Sequence, residues 1–136
     1  MAGETDLQKL LAAMSPLLLT ENFVFCTVSG KYSDYQELSP LASFCEHEGL
    51  TLVLTEKNAI KAKLPFESVF KAITLSVHSS LNAVGLTAAV ASQLADRGIS
   101  ANVIAAYYHD HIFVQAEKAT QAMEALKELC LSNMLP

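Results

Sequence analysis

The sequence predicts an α+β protein built from two related units, with antiparallel sheets that carry helices on one face. Three observations lead there. Strand patterns of period two alternate with segments of helical period along the chain. Each half reads helix, strand, strand, helix. A hydrophobic content of 51% and a mean hydropathy of +0.30 over 136 residues supply a core of ordinary domain size.

In chain order, Thr5 and Gln8 form a capping box, and Leu7, Leu10, Leu11 and Met14 repeat at helical spacing until Ser15 and Pro16 stop the pattern. Phe23 to Val28 (FVFCTV) is β-branched and aromatic and is bounded by Asn22, Ser29 and Gly30, which makes it a strand. Gly30 to Pro40 is polar and turn-forming. Leu41 to Cys45 is a short strand that pairs with Leu50 to Leu54 across EHEG. Thr55 caps a brief helix through Lys63, ahead of Pro65. In Phe70 to His78, Ile73, Leu75 and Val77 share one face while Thr74, Ser76 and His78 share the other, the pattern of a strand covered on one side.

Leu86, Ala89, Val90 and Leu94 form the apolar stripe of a helix that starts after Gly85 and ends at Gly98. Asn102 to Tyr108 and Ile112 to Val114 are strands joined by a turn at His109 and Asp110. A last helix spans Glu117 to Leu131, with Ala119, Ala122, Leu126, Leu129 and Cys130 on one face. LAAMSPLLLTENFVF from Leu11 lies over ASQLADRGISANVIA from Ala91, and LVLTEKNAI from Leu52 over FVQAEKATQ from Phe113. The expected division is residues 1–68 and 69–136.

Composition excludes several functions. Nine Lys and Arg face fourteen Asp and Glu, and Arg97 is the single arginine, so no cationic surface awaits a nucleic acid. No apolar run approaches the roughly 18 residues of a membrane span, and the acidic MAGETDLQ start is unlike a secretory signal. A cytoplasmic protein is expected. Cys26, Cys45 and Cys130 have no CxxC spacing and are expected to be reduced, mostly buried thiols. No GxSxG, P-loop, GxGxxG or HExxH motif occurs, so neither an enzyme nor a cofactor is expected.

The order from Val84-Gly85-Leu86 at a helix start, through DRGIS (Asp96 to Ser100), to a strand, a tight hairpin and a last helix resembles the ACT domain. Leu75 to Leu126 is similar to short bacterial proteins made of two ACT-like units with no assigned activity. It is more distantly similar to the ACT pairs of aspartate kinases and of eukaryotic cytosolic arginine sensors. The first half resembles their N-terminal unit through ETDLQKLLAAMSP and FVFCTV. The resemblance implies a ferredoxin-like βαββαβ fold in tandem and a regulatory module that binds a small molecule. It also implies a homodimer associated side by side, with ligands at the seams. Many ACT domains carry proline before the helix-opening glycine, where this chain has Val84.

The residues fit that chemistry. Helix-start amides lack intrahelical partners and carry partial positive charge, which suits a carboxylate. Gly85 lets a ligand approach, and Ser79, Ser80 and Asn82 offer hydroxyl and amide groups beside Val84, Gly85 and Leu86. Asn102 and Asp110 are candidate acceptors for an ammonium group. The ligand expected is an amino acid. Against this stand two other readings. The glycine and serines are ordinary turn residues in a structural dimerisation module, or His109, Asp110 and His111 serve a small metal-dependent enzyme. A polar hairpin turn explains that last cluster more simply, and no metal is expected.

Overall fold

The structure, a computed structural model, describes residues 6–76 and 84–134. In chain order the elements are α1 (Leu7–Ala13), β1 (Pro16–Val28), β2 (Ala42–Glu46), β3 (Gly49–Thr55), α2 (Glu56–Lys61), β4 (Phe70–Leu75), α3 (Leu86–Asp96), β5 (Asn102–Ala105), β6 (Asp110–Gln115) and α4 (Ala119–Ser132). Single 3₁₀ turns cover Tyr32–Asp34, Gln36–Leu38 and Ala116–Lys118.

Contacts divide the chain into two units. Residues up to Leu19 join Lys71 onward in one unit, and Thr20–Phe70 make the other. The reason is a missing strand. The run β4, α3, β5, β6, α4 is βαββα, and the start of β1 takes the place beside β4 in the order β1-β4-β6-β5. Ser76 N donates to Ser15 O at that join.

In this unit Leu10 and Leu11 of α1, with Met14 just after it, pack with Ile73 and Leu75 of β4, and Ile112 and Val114 of β6. Leu86, Val90 and Leu94 of α3 and Ala122, Ala125 and Leu126 of α4 complete the cluster. Asp6 caps α1 by accepting from Lys9 N, a role the sequence pattern assigns to Thr5, which lies outside the described residues. The α3 stripe and its glycine exit at Gly98 stand as expected. In β4, however, Ala72 and Thr74 are buried together with Ile73 and Leu75. The strand is covered on both faces, and Val77 and His78 lie outside the described residues.

In the other unit the order is β2-β3-β1. The expected hairpin forms, with Ser43 opposite Leu52 and Cys45 opposite Leu50, and β1 pairs with β3 so that Cys26 faces Leu52. Val24, Cys26, Leu50, Leu52, Leu54 and Ala59 form its core, covered in part by Tyr35, Leu38, Leu64 and Phe66. Thr55 caps α2 by accepting from Asn58 N, as its position in the sequence implies.

Strand β1 begins at Pro16, well before the expected Phe23, because a proline that opens a strand forfeits one donor without breaking a ladder. Of the two internal matches, the second is structural. It lays the end of β3 and the start of α2 over the end of β6 and its 3₁₀ turn. The first lays β1 over β5, whereas β5 is an outer strand like β2. Of the cysteines, Cys26 is buried as expected, Cys130 is half-buried and Cys45 is exposed. Burial pushes the Cys26 thiol up.

Leu126 is fully buried and Ile60 is largely exposed. Leu126→Ala is expected to cost about 2–5 kcal/mol in urea denaturation. Ile60→Ala is expected to stay within about 0.5 kcal/mol of the parent.

Candidate functional site

Helix α3 starts at Gly85, whose φ of 97° is left-handed, a conformation open to glycine at little cost. The residue before it, Val84, is 83% exposed, and the residue after it, Leu86, is buried in the core. The first helical hydrogen bond runs from Ala89 N to Gly85 O, and no side chain among the described residues caps the helix. The amides of Leu86, Thr87 and Ala88 therefore point out of the helix end. A Cβ on Gly85 would stand 3.0 Å from Leu7 Cδ2, so α1 supplies a wall of this site. Sequence reasoning missed Leu7. Its period marks it only as one apolar residue of a first helix, and nothing local ties it to position 85.

The β5–β6 hairpin turns earlier than expected. Ala105 faces Asp110, Ala106 N donates to His109 O, and the loop is Tyr107 and Tyr108, both exposed and in edge-to-face contact. Asp110 and His111 thus belong to strand β6, not to the turn. By alternation His109 and His111 share a face. His111 Nδ1 lies 3.0 Å from Thr74 Oγ1 of β4. This contact joins the end of β4 to the start of β6, so Asp110 stands at the end of the sheet from which the chain leaves toward α3.

Burial raises the Asp110 carboxyl, against the lowering effect of His111 and His109. Burial also lowers His111, aided by His109 and opposed by Asp110. His109 Nδ1 is buried with no hydrogen-bond partner among the described residues. Among the described residues no three His, Cys, Asp or Glu groups are placed to hold a metal.

Asn102 stands apart from this cluster. It opens β5 opposite Phe113, six residues beyond the last residue of α3, and its Nδ2 donates to Phe113 O at 3.2 Å. It lies three ladder steps, about 10 Å, from Asp110. Ser79, Ser80 and Asn82 lie outside the described residues. The structure therefore assembles Val84, Gly85 and Leu86 with Leu7, places Asp110 at the exit end of the sheet, and sets Asn102 farther along the hairpin.

The other unit repeats one device of the site. Gly30, with φ of 105°, comes after β1 as Gly85 comes before α3, and it borders a depression of about 160 Å³ lined by Val28, Ser29, Cys45, Glu46, Gly49 and Leu50. Gly30 leads into a 3₁₀ turn of three residues, where Gly85 opens an 11-residue helix.

Two ACT-domain family models match the chain, one over residues 2–71 and one over residues 67–128. The chain belongs to the ACT-domain family. A Vibrio cholerae protein of unknown function, described as a possible transport protein, is 59% identical over 91% of this chain and 95% of its own, with a TM-score of 0.85. An Agrobacterium tumefaciens protein shares 13% identity over 86% of this chain and 89% of its own, with a TM-score of 0.67.

The ligand-free regulatory subunit of Thermus thermophilus aspartate kinase shares 10% identity over 86% of this chain and 97% of its own, with a TM-score of 0.65. At such identities the last two show the fold alone, which is that of tandem ferredoxin-like ACT units. No curated protein matches the chain significantly. The ACT module is regulatory, and neither family model is that of a catalytic domain. No helix among the described residues is long and apolar enough to cross a membrane.

Gly85→Ala should lower the melting temperature through backbone strain and the Leu7 contact, at about 1 kcal/mol or more. Adding Leu7→Ala should remove the contact share and leave the strain. The titrating groups add a dependence on pH. A lowered His111 resists protonation in the fold, so stability falls as pH drops through about 6.5, where the unfolded chain takes up the proton. A raised Asp110 acts in the opposite sense, and its penalty appears as pH rises through the carboxylate range. In urea melts Asp110→Asn should therefore be more stable than the parent at pH about 7 and equal to it at pH about 3.

Proposed function

We propose that this ACT protein is a non-catalytic sensor that binds an amino acid at the start of α3. The observation that carries the reading is the uncapped amide end of α3 behind a left-handed glycine. The amides of Leu86, Thr87 and Ala88 take the ligand carboxylate, and Val84 and Gly85 leave room for its backbone. Ser79, Ser80 and Asn82 add hydroxyl and amide groups. The ammonium group falls to the Asp110 carboxylate, whose charge is less costly with a cation beside it. Asn102, with its amide on Phe113, serves the hairpin first. The protein works in the cytoplasm as a homodimer, and its output passes to another chain.

One observation favours a second reading. Leu7 lies so close to Gly85 that the chain's own side chain shields the glycine, as in a structural dimer module that takes no ligand. A thermal-shift panel of the twenty amino acids separates the two. The sensor reading expects one of them to raise the melting temperature, since a ligand at a hundred times its Kd adds about 2.7 kcal/mol. It also expects Asp110→Ala to abolish the shift. Silence from every amino acid, in the parent and in Leu7→Ala alike, leaves the structural module.

A further inference from the structure

We propose that Leu7 sets the specificity of this site and selects an amino acid with an apolar side chain. The inference rests on the preceding reading of the α3 start and names the class of its ligand. Apart from Gly85's own chain neighbours, the three atoms nearest to a Cβ placed on it all belong to one side chain: Leu7 Cδ2 at 3.0 Å, Cδ1 at 3.6 Å and Cγ at 3.8 Å. All three are hydrocarbon. Leu7 is half-buried, packing against the core cluster of its unit and leaving part of its surface to solvent. A ligand whose carboxylate sits on the amides of Leu86, Thr87 and Ala88 brings its backbone along Gly85, and its side chain then lies on that open part of Leu7.

The wall is held from several sides. Leu7 opens α1, where the Asp6 side chain accepts from Lys9 N and Asp6 O accepts from Leu10 N. Leu10 and Leu11 are buried, and the Cys130 thiol donates to the carbonyls of Ala12 and Met14. On the α3 side, Leu86 is buried and fixes the helix start. Hydrocarbon fixed in this way offers a ligand no hydrogen bond and does not withdraw from it.

The surroundings have the same character. Val84, just before Gly85, is exposed, and so are Tyr107 and Tyr108 in the hairpin loop at this end of the sheet. Asp110 is taken by the ammonium group in the reading above. Asp6 stands one residue before Leu7, but its carboxylate is exposed and already accepts from Lys9 N, so an ion pair with a cationic side chain there adds little. A hydroxyl, amide or charge laid on Leu7 gives up water and gains no partner. Each methylene group buried against it is worth about fourfold in affinity.

Titration calorimetry on pairs of similar size tests this: valine against threonine, leucine against asparagine, methionine against lysine. In the parent chain the apolar member of each pair is expected to bind at least about 10-fold more tightly. Leu7→Ala is expected to narrow each gap to about threefold or less, because the hydrocarbon wall is gone. Leu7→Met, which keeps a wall of similar volume, should preserve the parent's order. Circular dichroism should show both variants folded at the temperature of the titration.

A polar member that binds as tightly as its apolar partner, gaps unchanged in Leu7→Ala, or an order lost in Leu7→Met overturns the proposal. Tighter binding of every ligand by Leu7→Ala also overturns it, since Leu7 is then a plug and not a wall. Each of these results requires a bound amino acid and so leaves the sensor reading standing. If these six are silent and another amino acid binds, the specificity falls alone. If none of the twenty binds, the sensor reading and the specificity fall together.

Discussion

The packing of α1 into the core formed with α3 and α4 is the constraint on which the larger unit depends. Leu10, Leu11 and Met14 are buried beside Val90, Leu94 and Leu126, and the Cys130 thiol donates to the carbonyls of Ala12 and Met14. These bonds tie the exit of the first helix to the last one. Once α1 is held there, the start of β1 lies where a βαββα run needs its final strand, and Leu7 falls against Gly85. The architecture and the wall of the site thus share one cause. It is a contact between residues more than a hundred positions apart.

That distance also explains what can be read along the chain. Helix α3 is legible because its stripe, its glycine exit and its start are all local, and the same holds for Thr55 above α2 and for the β2–β3 hairpin. The family pattern from Val84 to the last helix is legible for the same reason. The early start of β1 is not, since Thr20, Glu21 and Asn22 interrupt its apolar residues and only pairing makes the segment a strand. The cover over Ala72 and Thr74 is invisible too, because period two reports one face and says nothing of what meets the other.

The candidate site divides in the same way. Gly85 stands out by its place before an apolar stripe, and its left-handed φ is the physical reason for a residue without Cβ. Asp110 and His111 stand out by their chemistry, yet the sequence pattern puts Asp110 in the turn, because two consecutive tyrosines with strand propensity conceal a loop. Neither tyrosine has a positive φ, so the loop lacks the glycine or asparagine that usually announces a two-residue hairpin. Between the units the contrast is physical. Gly30 and Gly85 turn the chain alike, but only α3 is long enough for its peptide dipoles to sum at the exposed end.

The division of the chain has a consequence for synthesis on the ribosome. Thr20–Phe70 is contiguous and can close as soon as its last strand emerges, whereas the partner of the nascent first helix is translated last. Until then Leu10, Leu11 and Met14 have no native surface to cover them. Closing so long a loop carries an entropic cost that grows with the logarithm of its length, and contacts of such separation form slowly. The interval between emergence and docking is the period in which a holdase chaperone would find its grip on this polypeptide.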